Sequence, residues 1–248
     1  MKVPIISVKK IVAKYGENTV LKDVTVDIFP NEITVILGGS GCGKTTFIKN
    51  ILQLYKPFSG SIKIFGEETV GLFPEEFNKI LEKIGMLFQN GALLNSVNIF
   101  DNVSIPLEQH TVLPAEIIEK IIKVKLNLVN LGHVINLFPS ELSGGMKKRA
   151  ALARAIALDP EILFCDEPSA GLDPITSENL DNLILKLKEQ LNMTIIIVTH
   201  ELASIHRIAN RIIFLDEGEV LFQGTLAEAK NCGIQEVEHF FEVGKFGD

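Results

Sequence analysis

The chain has 248 residues, 46% hydrophobic and 22% charged, which suits one large globular domain with room for an inserted lobe. A net charge of −7 and a pI near 5.4 argue against broad electrostatic binding to nucleic acid or anionic lipid, since both reward a basic surface. Apolar runs such as Thr194 to Val198 are strand-sized, far below the roughly 20 residues that cross a bilayer, and Met1 to Ser7 lacks a long apolar export signal, so cytosol is the expected compartment.

Residues 1 to 35 alternate like strands, with Val24, Val26 and Ile28 on one face and a Pro30-Asn31 turn, predicting an antiparallel entry sheet. Strand Ile33 to Leu37 meets a glycine-rich loop, and Lys44 to Leu54 continues as a helix with Phe47, Ile48, Ile51 and Leu52 at helical spacing. A strand over Gly85 to Phe88 precedes a mainly helical stretch from Asn90 to Leu142. Within it, Pro114 opens an amphipathic segment whose Ile117, Ile118, Ile121, Ile122 and Leu126 suit one buried stripe. Next come a helical run from Lys147, strand Ile162 to Cys165, helix Thr176 to Leu191, strand Thr194 to Thr199, helix Glu201 to Ala209 and strand Ile212 to Leu215. Such alternation predicts a largely parallel sheet covered by helices. The three cysteines, Cys42, Cys165 and Cys232, lack metal-ligand spacing and read as reduced thiols. The cationic cluster Lys147-Lys148-Arg149 reads as a solvated helix face.

Gly38-Gly39-Ser40-Gly41-Cys42-Gly43-Lys44-Thr45 fits the phosphate-loop pattern G-x-x-x-x-G-K-[ST], in the strand-loop-helix setting that it requires. Glycines let successive N–H groups turn toward phosphate oxygens, and the helix start adds its positive dipole end. The expected nucleotide contacts run from Gly38 through Thr46, with Lys44 reaching the β- and γ-phosphates and Thr45 binding Mg²⁺ through its hydroxyl. A carboxylate must complete that metal site, and apolar Ile162 to Cys165 delivers Asp166 for it. Glu167, one step beyond, is placed to polarise the water that attacks the γ-phosphate. The expected activity is ATP hydrolysis.

A second glycine-flanked helix start, Leu142-Ser143-Gly144-Gly145-Met146, follows, and at these residues the sequence resembles the ATP-binding cassette (ABC) ATPases. The resemblance covers about residues 5 to 228. It implies a P-loop NTPase fold of α/β class: a mainly parallel RecA-like core, an N-terminal antiparallel β-subdomain and an inserted α-helical subdomain. The corresponding boundaries are 1–89 and 159–231 for the core with its β-subdomain, 90–158 for the helical insert and 232–248 for a C-terminal extension. It also implies a head-to-tail homodimer in which Ser143, Gly144 and Gly145 of one subunit close on the γ-phosphate held by the other. Tyr15 matches the aromatic position that stacks on adenine. Gln89 matches the glutamine that touches Mg²⁺ or the attacking water, Asp173 the contact residue of the loop at the dimer seam, and His200 the histidine that senses the γ-phosphate.

Within the family, position 146 is Met where Gln is commonest, and only the contact of that glutamine is affected. The segments Ile84 to Leu93, Phe100-Asp101-Asn102-Val103 and Leu142 to Ala155 resemble the ATPases of MCE-type (Mla) phospholipid transport systems. That resemblance implies a cassette pair docked, on the cytoplasmic side of the inner membrane, to integral-membrane permease subunits, with a periplasmic MCE lipid-binding protein beyond them and phospholipid as cargo. Leu93, Leu94, Val97, Ile99 and Phe100 form either a groove for a permease helix or lobe core. The C-terminal stretch, with Val237, Phe240 and Phe241 at helical spacing, packs either on its own domain or on a neighbouring subunit. A soluble cassette acting on DNA or ribosomes is disfavoured by the acidic balance and the absence of a second cassette. A non-catalytic sensor is disfavoured by Glu167 and His200. A cassette for a small polar solute or ion remains the alternative.

Overall fold

The computed structural model describes residues 2–243, and the chain divides into two compact units, Met1–Leu81 with Ile196–Asp248, and Glu82–Ile195.

In the first unit, strands Asn18–Ile28, Ile6–Tyr15, Ser59–Ile64 and Glu67–Glu68 form an antiparallel sheet in that order, the expected entry sheet. Its buried face holds Val24, Val26 and Ile28, as the alternation predicts. The alternation slips once in each long strand. Lys10 (φ 52°) and Asp23 (φ 55°) adopt left-handed backbone at register irregularities, so Ile6 and Val8 give way to Ile11 and Ala13 on the same face, and Leu21 to Val24. Bulges of this kind insert one residue and rephase the strand. Gly60 is fitted to one of them: a Cβ there would lie 2.5 Å from the Lys10 carbonyl oxygen.

The same unit contains a mixed sheet portion in which Ile33–Leu37 pairs parallel with Arg211–Asp216, and Arg211–Asp216 pairs antiparallel with Glu219–Thr225. Every residue of Ile33–Leu37 is buried, as a strand covered on both faces requires. The helix after the glycine-rich loop runs Lys44–Ile51, ending before the expected Leu54. Leu52 caps it and Gln53 turns left-handed (φ 51°).

The C-terminal stretch forms helix Gln235–Val243, whose Val237 and Phe241 are buried. Phe240 meets Phe214 edge-on at 5.7 Å between ring centroids, and Phe241 lies 5.9 Å from the His206 ring. Of the two readings, packing on its own domain is the one observed; the rest of the extension, 244–248, lies outside the described residues. Phe241→Ala should cost roughly 3 kcal/mol by removing a buried aromatic ring, read as a lowered denaturant midpoint at unchanged slope.

In the second unit, Ile84–Leu87 and Ile162–Asp166 pair in parallel, Leu87 opposite Cys165. Helices Ile99–His110, Ala115–Leu128, Gly144–Ala155 and Pro174–Leu191 supply the rest of its framework. Gly85 lets a helix end approach the strand: a Cβ there would lie 2.4 Å from the Ala155 carbonyl oxygen. In Ala115–Leu128 the buried positions are Ile118, Ile122, Lys125 and Leu126, whereas Ile117 is 40% exposed. The expected stripe is therefore narrower and rotated, and Lys125 joins it because Asp159 receives its ammonium. Between the first strand and the first helix, Asn102 organises residues 94–98. Its amide donates to the carbonyls of Leu94, Val97 and Asn98 and accepts from Leu94 N–H at 2.8 Å. Ile99 there is lobe core, while Leu94 is 49% exposed.

The fold class is the expected one: α/β, with an antiparallel N-terminal sheet, a mixed and mainly parallel set of core strands and a helical insert.

Candidate functional site

The phosphate loop lies wholly in the first unit. Gly38 (φ 143°), Gly41 (φ 80°) and Gly43 (φ 109°) hold conformations that disfavour a side chain. Gly38 is also sterically pinned, since a Cβ would lie 2.0 Å from the Leu215 carbonyl oxygen. Gly39, Ser40, Gly41 and Thr45 are exposed at the loop surface, while Cys42, Gly43 and Thr46 are buried. Thr46 anchors the helix through its carbonyl, which accepts from the Asn50 amide at 2.8 Å. The ammonium of Lys44 folds back over the loop and donates to the carbonyls of Gly38 and Gly39, 2.8 Å each, with the Cys42 sulfur 3.7 Å away. The following helix has no acidic residue in its first turn, so its N–H groups and dipole end face the loop without a competing negative charge. Glycine conformations, a helix start and a held ammonium together fit a polyphosphate.

Tyr15, at the end of its strand, is 42% exposed and stacks on Tyr55 with ring centroids 4.3 Å apart. Tyr55 fixes the pair by donating its hydroxyl to the Lys14 carbonyl. A cavity of about 510 Å³ lies beside them, lined by Lys14, Gly16, Glu17, Tyr55, Lys56 and Phe58. Tyr55 was not singled out from the sequence, and its separation from Tyr15 leaves no local pattern to find it by. If Tyr15 carries the base, Tyr15→Ala should weaken ATP binding about fivefold, one aromatic stack being worth roughly 1 kcal/mol, as measured by calorimetric titration. His200 is exposed, just past the buried strand Thr194–Val198, in the same unit as the loop. Its neighbour Thr199 accepts from Glu201 N–H at 3.1 Å, fixing the turn that presents it.

The second unit gathers the other predicted residues. Asp166 ends the strand Ile162–Asp166, and Glu167 follows in left-handed backbone at φ 45°. Both side chains are half-buried. The Glu167 carbonyl accepts from Ala170 N–H at 3.2 Å and from the Lys148 ammonium at 3.3 Å. Gln89 is exposed after the neighbouring strand, and its carbonyl too accepts from Lys148. Lys148 therefore corrects the reading of Lys147-Lys148-Arg149 as a solvated face: only 7% of it is exposed. It lies on the helix face that also buries Ala151 and Leu152, so helical periodicity carried a signal that the charge run obscured. Burial pulls its pKa down, opposed by the nearby Glu167 and Asp166 carboxylates. Burial also pushes the Cys165 thiol well above its ordinary range, which suits an inert core residue.

Ser143 caps helix Gly144–Ala155, its hydroxyl accepting from Met146 N–H at 3.3 Å, and Ser143 and Gly144 are exposed at the tip. That bond uses the backbone of residue 146, so Met serves as well as Gln for the cap. Asp173 caps helix Pro174–Leu191, accepting from Thr176 N–H at 3.0 Å and from the Thr176 hydroxyl. These bonds hold its carboxyl below the usual range. Both helix starts line one cleft of about 520 Å³, with Ser143, Gly144, Gly145 and Asp173 in its wall. Gly145 keeps the walls close: a Cβ would lie 2.5 Å from the Thr176 methyl.

The Thr45 hydroxyl in the first unit, and the Asp166 carboxylate and Gln89 side-chain amide in the second, are each hard oxygen donors of a kind that Mg²⁺ takes. Among the described residues no group of three or more His, Cys, Asp or Glu could hold a metal alone. Mg²⁺ needs no such group, since it typically takes one or two protein ligands and completes its shell with phosphate and water.

A lysine-bearing phosphate loop, a second glycine-flanked helix start and an acidic pair after a buried strand are features of a nucleotide hydrolase of cassette type. Residues 21–170 match the family described as ABC transporter. The chain is 40% identical over 221 residues to the intermembrane phospholipid transport system ATP-binding protein MlaF of Haemophilus influenzae, covering 89% of this chain and 84% of that one. It is 45% identical over 195 residues to the probable ribonucleotide transport ATP-binding protein mkl of Mycobacterium leprae, covering 79% of this chain but only 56% of that longer protein. Among solved structures, the ATP-binding cassette MJ0796, dimeric in a post-hydrolysis state with ADP and Pi, superposes with a TM-score of 0.80 at 34% identity, covering 89% of this chain and 98% of that one. The chain belongs to the ABC transporter family, as its ATP-hydrolysing cassette. Among the described residues no helix is long and apolar enough to cross a membrane.

Proposed function

We propose that this cassette drives phospholipid transport between membranes through permease subunits, by closing as a homodimer around ATP. The observation that carries the cargo assignment is the likeness to MlaF, which extends over most of both chains. Support for closure as a pair comes from the dimeric cassette of the same fold and from the shared cleft of Ser143, Gly145 and Asp173.

In this reading the loop Gly38 to Thr46 holds the triphosphate, and the Lys44 ammonium exchanges its two carbonyl partners for β- and γ-phosphate oxygens. Thr45, Asp166 and Gln89 would hold Mg²⁺, which would supply positive charge against that developing on the phosphates. Glu167 accepts a proton from the attacking water as it adds to the γ-phosphorus and ADP departs. His200 contacts the γ-phosphate, and Ser143, Gly144 and Gly145 of a second copy cover it from the other side. Asp173 meets the opposing subunit, and Tyr15 supports the adenine. Closure on ATP and release after hydrolysis shift the permease between states by their difference in affinity.

Lipid has no reason to touch this chain, so its residues do not read a head group. A periplasmic MCE protein and an inner-membrane location come through the permease. The exposed Leu94, within the Asn102-ordered segment, is a candidate permease contact. The similarity to mkl favours one second reading, a cassette for a polar solute. Purifying the chain with its membrane partners and identifying retained small molecules by mass spectrometry separates the two. Phospholipid is expected, and a polar solute without phospholipid overturns the cargo assignment.

A further inference from the structure

Helix Gly144–Ala155 holds the segment after strand Ile84–Leu87 by two buried or part-buried cations. Lys148 donates to the Gln89 carbonyl, and Arg154 donates from its two terminal nitrogens to the carbonyls of Ala92 and Gly91, 2.8 Å each. Lys148 alone reaches a second segment as well, since it also donates to the Glu167 carbonyl at 3.3 Å. Glu167, at one end of the bridge, is in unfavourable backbone at φ 45°, and so is Ala92 (φ 49°), three residues past Gln89 and held by Arg154. For residues with a side chain such conformations persist only where surrounding contacts impose them. At Glu167 the local turn supplies one contact, the 3.2 Å bond from Ala170 N–H. The lysine supplies another.

A lysine with 7% exposure is costly to bury, and here its partners are two main-chain carbonyls, with the Asp166 and Glu167 carboxylates near enough to favour its charge. Hydrocarbon at this position would fill the space without that cost. What the ammonium adds is a bridge with two fixed ends.

We propose that Lys148 is a positioning residue for hydrolysis, tying the Gln89 segment and the Glu167 turn to the Ser-Gly-Gly helix so that all three take up their working geometry together. This rests on the reading that Glu167 and Gln89 serve the reaction. Lys148 donates to main-chain carbonyls and so sets the main chain from which the two working side chains project. Because its helix begins at Ser143, docking of that helix start is mechanically joined to the Gln89 and Glu167 main chain.

The test uses the chain purified with its membrane partners and compares Lys148→Met, Lys148→Gln and Lys148→Arg with the parent and with Glu167→Gln. Lys148→Met is expected to lower kcat about tenfold or more while KM for ATP stays within about twofold, the split that marks loss of transition-state geometry. Amide hydrogen exchange over residues 88–92 and 167–170 should rise in it. Lys148→Arg, which keeps charge and several donors, should recover most of kcat, and Lys148→Gln should not. If Lys148→Met does not fold, the Lys148→Gln and Lys148→Arg pair decides by the same split. Parental kcat in Lys148→Met or Lys148→Gln, or equal losses in kcat with no recovery by Arg, overturns the inference. If Glu167→Gln itself turns over normally, the reading of the reaction has failed instead, and the two failures are distinguishable.

Discussion

Glu167→Gln should stop turnover and leave ATP bound. The substitution conserves shape, so the left-handed turn at φ 45° and the carbonyl bond from Lys148 both survive it. What it removes is the capacity to take a proton from water. General-base catalysis is worth roughly 10² to 10⁴ in rate, so kcat should fall at least about 100-fold, or about 2.7 kcal/mol in the barrier. ATP affinity, set by the loop and the metal, should change by less than about threefold. With hydrolysis blocked, the ATP-bound pair has no route to release, and size-exclusion chromatography with ATP and Mg²⁺ should show a stable dimer. Turnover at the parental rate would identify another group as the base.

Lys44→Ala should act at the opposite point, on binding. The ammonium donates to two carbonyls of its own loop, those of Gly38 and Gly39, and so straps it. Alanine removes both the strap and the positive charge offered to the phosphates. Charge-assisted bonds to phosphate are about twice as strong as neutral ones, and losing two of them should weaken ATP binding about 100-fold, near 2.7 kcal/mol. Lys44→Arg should not restore it, because a planar guanidinium does not reproduce the compact ammonium that reaches the carbonyls of Gly38 and Gly39. Equilibrium titration with ATP checks both variants, and a Kd within threefold of the parent's for Lys44→Ala would remove the lysine from the site.

The parts legible in the sequence are those whose physics is local. The phosphate loop requires glycines at left-handed positions and a lysine at the helix start, and those types at that spacing have few other uses. The same holds for the glycine-flanked helix start after Ser143 and for the apolar run that leads to Asp166. Less legible was whatever depends on a partner distant in sequence. Lys148 sits in a charge run, and only the carbonyls of Gln89 and Glu167, remote along the chain, turn it into a buried bridge. Tyr55 became visible only once the turn after the first helix returned it to Tyr15. The strand phases at Lys10 and Asp23 slipped because a bulge leaves the count of apolar residues unchanged while moving their faces. Ile117 has the hydrophobicity of a stripe residue but lies off the arc of its helix that meets a neighbour, and Lys125, with its Asp159 partner, is buried there instead.

The C-terminal helix has a practical bearing on how this cassette is handled. Phe240 rests on Phe214, Phe214 is opposite Leu37 in the adjacent parallel strand, and Gly38 begins the phosphate loop immediately after Leu37, packed against the Leu215 carbonyl. One aromatic contact and one strand pairing thus separate the chain's last helix from the first glycine of the nucleotide cradle. A fusion bulky enough to displace that helix should loosen the loop's footing, and weaker ATP binding would then report the fusion rather than the cassette. Placing the tag ahead of Val3, which is 78% exposed, keeps purification chemistry away from that line of contacts.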